Sequence, residues 1–273
     1  MTDTIIQMFS YSFMVRAVIV GILVSLCSAL LGVSLVLKRY SMIGDGLSHV
    51  GFGALAMATA LGISPMQVTI PVVVISAVLL LRVSETGKIK GDSAIGIIST
   101  SALAIGVLAI SMTSGLNTDL YNYLFGSILA MTKNDVYLSI CLSICVLVAF
   151  VIFYNKIFAV TFDESFARAC GTSAKSYNML IAVLTAITIV LGMRMMGSLI
   201  ISALIIFPAI TAMRLFRSFR SVTVSAAVIS VVCFMISITL SYVYDLPTGA
   251  TLVVAHLCIL GISELFRKLF AKK

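Results

Sequence analysis

The chain has 273 residues, 61% of them hydrophobic and only 10% charged, and its mean hydropathy is +1.19. That excludes a soluble domain; repeated apolar stretches of about 17–25 residues predict an all-α, polytopic membrane protein. A formal net charge of +8 would suggest nucleic acid in a soluble protein, but here the positive-inside rule accounts for it and a nucleic-acid partner is excluded.

Nine spans are expected, within a range of eight to ten: Val15–Leu37, Ile43–Leu61, Met66–Leu81, Ala94–Met112, Val136–Tyr154, Tyr177–Gly192, Met196–Met213, Val222–Tyr244 and Gly249–Phe266. The first is read as a span rather than a signal peptide, because the apolar run after Arg16 is too long for an h-region and lacks a small-residue cleavage site. Leu120–Ala130 is apolar but too short to cross, and is expected to be re-entrant or interfacial. The longest polar connection, Asn155 to Ser176, is too short for a soluble domain, so residues 1–273 read as a single transmembrane domain.

Lys and Arg set the orientation. Fifteen of the eighteen fall on one set of connections: Lys38 and Arg39; Arg82, Lys88 and Lys90; Lys156, Arg168 and Lys175; Arg214, Arg217 and Arg220; and Arg267, Lys268, Lys272 and Lys273. Only Arg16, Lys133 and Arg194 fall on the other side. The pattern predicts a plasma-membrane protein with its N-terminus outside and its C-terminus in the cytosol.

The second span carries Asp45-Gly46-Leu47-Ser48-His49. Residues four apart share a helix face, and ionisable side chains inside a membrane are functional candidates by default. Carboxylate and imidazole suit Zn²⁺, and Mn²⁺ or Fe²⁺ less selectively. One chain offers two ligands; two copies about a dyad would offer four. The purely structural alternative has Ser41 capping the helix and His49 hydrogen-bonded to Asp45. Gly44, Gly46, Ser48, Gly51, Gly53 and Ala54 leave one side of this helix without bulk, for close packing or for a pathway. Ser48, Gly53 and Pro208 are candidate gating or packing positions, Pro208 as a kink in the seventh span.

The segment Thr161-Phe162-Asp163-Glu164-Ser165-Phe166-Ala167-Arg168-Ala169-Cys170-Gly171 reads as a short helix capped by Asp163 or Thr161 and stopped by Gly171. With Phe162 and Phe166 exposed, it is either a docking knob for a soluble partner or an amphipathic helix on the lipid surface. No G-x-x-x-x-G-K-[ST] sequence occurs, so any ATP-driven step must come from a separate chain. Six scattered cysteines without a CxxC pair read as packing residues, as do the methionines. His256, alone in the last span, reads as a hydrogen-bonded packing residue; Asp92 reads as a cap, and Asp245 with Pro247 as an external turn.

Five blocks together resemble the permease subunit of the zinc/manganese/iron ABC importers: Lys38 to His49, Gly91 to Ile97, Asp119 to Gly126, Phe162 to Gly171, and Gly197 to Thr211. Tyr244-Asp245-Leu246-Pro247-Thr248-Gly249 looks like the zinc branch. The resemblance implies a fold similar to the cobalamin and siderophore importer permeases. It also implies a permease homodimer, two cytosolic ATP-binding subunits and an extracytoplasmic metal-binding protein. Under it, Leu120–Ala130 becomes a short external helix and Phe162–Gly171 the coupling helix, with Phe162, Asp163, Glu164, Phe166, Ala167, Ala169 and Gly171 facing the ATPase. Asp45 and His49 become metal ligands. The expected function is transport rather than covalent chemistry, with no resident cofactor, zinc favoured as cargo, and manganese or iron as alternatives. The competing reading is an ion-gradient-driven metal carrier; a metalloprotease would need HExxH, which is missing.

Overall fold

The computed structural model describes residues 7–86, 91–112, 124, 126, 132–198 and 200–270. All regular structure among them is helical, as expected where lipid cannot satisfy an open backbone. The helices are α1 (Ser12–Leu37), α2 (Ser41–Ala60), α3 (Pro65–Thr86), α4 (Gly91–Ser111) and α5 (Lys133–Ile152). Two short helices follow, α6 (Tyr154–Phe162) and α7 (Glu164–Ala169), and then α8 (Ala174–Met196), α9 (Ile201–Leu215), α10 (Phe219–Tyr244) and α11 (Thr248–Phe270). The segment Leu120–Ala130 lies outside the described residues apart from positions 124 and 126.

Among the described residues, seven helices have the length and apolarity to cross a membrane: α1, α3, α4, α5, α8, α10 and α11. The nine expected spans each coincide with a helix, but two fall short of that standard. α2 has 20 residues, yet its Gly, Ala, Ser, Asp45 and His49 replace large apolar side chains. It packs against α3, α4, α8 and α9, so it presents little surface that lipid would have to cover. α9 has only 15 residues, about 23 Å of helix against a hydrocarbon core of about 30 Å.

Three tight turns use one device. After α1, Arg39 N–H donates to Val36 O at 3.1 Å and Tyr40 N–H to Leu35 O at 2.8 Å, with Arg39 left-handed at φ 60°. This is the Schellman motif. It recurs after α2 at Gly62 (φ 68°) and after α7 at Gly171 (φ 76°). Arg39 carries a side chain where glycine is preferred, at a cost of about 1–2 kcal/mol.

The connection Asn155–Ser176, expected to hold one short helix, holds two, α6 as well as α7. Ile157 and Val160 are fully buried three residues apart, which gives α6 an inner face. Ser41 is not the cap of α2: Tyr40 holds that position, and its side chain does not cap the helix. Asp92 lies inside the first turn of α4 rather than before it.

Glycines bring α2 and α4 into backbone contact. A Cβ at Gly53 would clash with the Ala102 carbonyl oxygen, well inside contact distance, and one at Gly106 would lie 2.8 Å from Gly53 Cα. Gly32 does the same for α1 against the Ile205 carbonyl of α9. Gly53→Ala is therefore expected to lose about 1–3 kcal/mol of stability through overpacking. Gly96→Ala, where no atom lies within 4 Å of the new Cβ, is expected to be neutral or stabilising. Thermal unfolding of the two purified variants measures the difference.

Candidate functional site

Asp45 and His49 lie one turn apart on α2, with His49 Nε2 3.7 Å from Asp45 Oδ2. That is too long for a hydrogen bond, so the purely structural reading of the pair is not met. The distance suits two ligands of one small cation: at metal–ligand distances of about 2.0–2.2 Å, neighbouring tetrahedral ligands sit about 3.4 Å apart. The Asp45 side chain is 40% exposed and that of His49 15%. With Met42, 52% exposed, they form a stripe at positions 42, 45 and 49 that runs from an open end to the largely enclosed His49. His49 Nδ1 is buried and has no hydrogen-bond partner.

α9 reaches the pair from the side. Ser202 Oγ donates to Asp45 Oδ1 at 3.4 Å, a long contact that leaves the carboxylate available. Ser202 escaped the sequence reading because nothing in the chain links positions 157 residues apart. Ser48, completely buried, spends its hydroxyl on the Asp45 backbone carbonyl at 2.7 Å. Gly53 belongs to the α2–α4 contact. Pro208 is buried in the middle of α9, where its missing N–H leaves the Leu204 carbonyl without its helical donor. Among the described residues, no three or more His, Cys, Asp or Glu side chains come together.

His256 is 2% exposed and sits outside this group. Its Nδ1 is 2.8 Å from Leu252 O, its Nε2 is buried without a partner, and its ring lies 6.4 Å from Phe207.

The short α7 forms as its residues dictate. Asp163 is the N-cap, accepting from Phe166 N–H at 2.9 Å, with Glu164 in the first turn and Gly171 at the left-handed stop. Thr161 instead ends α6, donating to Ile157 O at 2.7 Å. Phe162 and Phe166 stand out at 59% and 65% exposure, and Asp163, Ala169 and Gly171 are also exposed. Ala167, 1% exposed, turns inward against Val160 and Ala174. Phe158, Phe162 and Phe219 form an aromatic cluster with centroids 5.0–5.9 Å apart, fixing α6 to the start of α10.

A hydrogen-bonded hub underlies α7. Lys38 Nζ donates to Glu164 Oε1 at 2.7 Å, Asn178 Oδ1 at 2.6 Å and Val160 O at 3.1 Å. Asn178 Nδ2 donates to Glu164 Oε1 at 2.8 Å, and Arg168 Nη2 to Oε2 at 3.1 Å. Beside it, Tyr40, Glu164, Arg168, Ser173, Lys175 and Asn178 line a cleft of about 420 Å³. At the far end of α8, Arg194 Nη2 donates to Asp135 Oδ2 at 2.8 Å, and Asp135 also forms a capping box with Thr132.

A bundle of apolar helices with an ionisable pair on a small-residue helix packed among four others is that of a multi-pass membrane protein. The chain belongs to the ABC 3 transport family, which matches residues 10–267. It is 28% identical to the manganese transport system membrane protein MntC of Halalkalibacterium halodurans, over 95% of this chain and 89% of that one. It is 30% identical to the high-affinity zinc uptake system membrane protein ZnuB of Haemophilus influenzae, over 94% of this chain and 98% of that one. Among solved structures it is similar to PsaBC from Streptococcus pneumoniae in complex with Fab, with a TM-score of 0.86 and 27% identity, covering 96% of this chain and 94% of that one.

Burial pushes the Glu164 carboxyl up, but hydrogen bonds from Lys38 and Asn178 and the Lys38 charge outweigh it and hold it below its ordinary value of 4.5. A depressed carboxylate stabilises the folded state above its ordinary value, and that stability is lost as pH falls through the lowered value. The wild type is therefore expected to lose more thermal stability than Glu164→Gln between about pH 5 and 3. Unfolding curves of both proteins across that range, in one detergent, test this.

Proposed function

We propose that the chain is the permease subunit of an ATP-driven importer of a divalent metal ion. The observation that carries this is the placement of Asp45 Oδ2 and His49 Nε2, 3.7 Å apart on one face of α2, with the carboxylate accessible and neither group used up by the other. Membership of an ABC transport family and the likeness to relatives named for manganese and zinc transport support it. Imidazole favours zinc, with manganese and iron as alternatives that carboxylate also accepts.

One chain offers too few ligands, so two permeases are proposed to meet across a dyad with two Asp45 and two His49 facing a shared path. The nine helices that coincide with apolar segments are proposed as nine spans, N-terminus outside and C-terminus cytosolic, in a plasma membrane. α2 and α9 then lie inside the bundle, shielded from lipid. The Lys38, Glu164 and Asn178 end is cytosolic. There the exposed Phe162–Gly171 segment is proposed as the coupling helix for two ATP-binding subunits. An extracytoplasmic metal-binding protein delivers the ion from the other side, and the two permeases expose the path alternately to each side as the ATPases cycle.

Asp45→Ala and His49→Ala are each expected to reduce metal uptake to that of cells lacking the chain, while the amount of folded protein stays the same. Uptake of labelled Zn²⁺, challenged in turn with Mn²⁺ and Fe²⁺, measures both activity and preference; retained uptake in both variants overturns the site. Phe166→Ala is expected to weaken co-purification with the ATP-binding subunit about tenfold, since an exposed aromatic anchor carries a large share of an interface. Unchanged recovery at equal permease levels argues for the lipid-surface alternative.

A further inference from the structure

Lys38 is the first residue of the cationic set that reads as a solvated positive-inside charge, yet its side chain is only 7% exposed. An ammonium group has three donors. Here they find three acceptors on three elements: Val160 O of α6 at 3.1 Å, Glu164 Oε1 of α7 at 2.7 Å and Asn178 Oδ1 of α8 at 2.6 Å. The group has no donor left for water. We infer that Lys38 is a positioning residue that transmits displacement of the coupling helix to the helix bearing Asp45 and His49. This rests on the importer reading above.

The route is short and has little slack. Glu164 sits in α7, whose outer side presents Phe166. A partner that moves α7 moves the Glu164 carboxylate. Separating a poorly solvated ammonium from the carboxylate it is paired with is costly, so Lys38 follows rather than detaches. Lys38 is also the C-cap of α1, and only Arg39 and Tyr40 separate it from α2. That turn is held by the Arg39 N–H to Val36 O and Tyr40 N–H to Leu35 O bonds, and Ile43 N–H donates to Tyr40 O at 3.0 Å. A shift at Lys38 therefore reaches the first turn of α2, which Asp45 directly follows.

The rival role is a static clamp that merely stabilises the cytosolic end. The two differ in one ratio: metal ions imported per ATP hydrolysed. The test uses the permease with its ATP-binding subunit and metal-binding protein in proteoliposomes. Lys38→Met is expected to lower the ratio about tenfold, the usual scale for loss of one coupling element. Lys38→Arg, which keeps charge and donors, restores most of it. A clamp predicts that both rates fall in parallel with the amount of folded protein, leaving the ratio unchanged; that result overturns the inference. Where Lys38→Met yields no folded protein, Asn178→Ala removes only the α8 arm and is expected to lower the ratio in the same direction, and an unchanged ratio there is equally decisive against it. If the wild-type assembly imports no metal with ATP, the importer reading fails and takes this inference with it. Wild-type coupling with unchanged variant ratios overturns this inference alone.

Discussion

A lysine ammonium withdrawn from water must be surrounded by acceptors, and meeting that demand organises one end of this molecule. Lys38 gathers the end of α1, the last turn of α6, the start of α7 and the start of α8 around a single nitrogen. Removing one partner of such a pair costs about 3–5 kcal/mol when it is fully buried. Glu164, with a third of its side chain in solvent, places this pair lower on that scale. The direction is unaffected: α7 cannot leave the bundle without exposing or stranding a charge.

The opposite end has its own anchor. Arg194 and Asp135, 10% and 15% exposed, join the end of α8 to the start of α5. α8 thus carries Asn178 in one clamp and Arg194 in the other, and between them its Gly192 and Met193 lie against Ile201 and Gly51. It is one of the two most enclosed of the apolar helices. A helix fixed at both ends by directional polar bonds, and largely buried between them, is a reference against which α2 and α9 can be placed. The Asp45–Ser202 contact between those two helices is long, and among the described residues they are held mainly by packing.

The small residues of α2 serve two ends. Gly53 lets α4 approach until backbone nearly meets backbone and Gly46 makes room for the Ile95 side chain, while Asp45, on a different side of the same helix, stays partly open. Larger residues in place of the glycines would push α4 away. Larger side chains along the stripe would bury the carboxylate and imidazole, at a desolvation cost that favours their neutral forms.

Much of this was legible in the chain. Apolar segments located each of the long helices, because lipid demands continuous apolar length and helices are the open-chain answer. The i, i+4 spacing put Asp45 and His49 on one face, and Asp163 and Gly171 marked the ends of α7, because these are local rules of backbone geometry. Other features were not legible. That Lys38 is a buried hub rather than a solvated surface charge, that Ser202 of α9 reaches the Asp45 carboxylate, that Gly53 is packing surface against Ala102, and that Asn155–Ser176 hides α6 all depend on which helices become neighbours. Composition and spacing decide what each segment can be. Which side chain loses its water, and to which partner, is decided only when segments distant in the chain are brought within a few ångströms of one another.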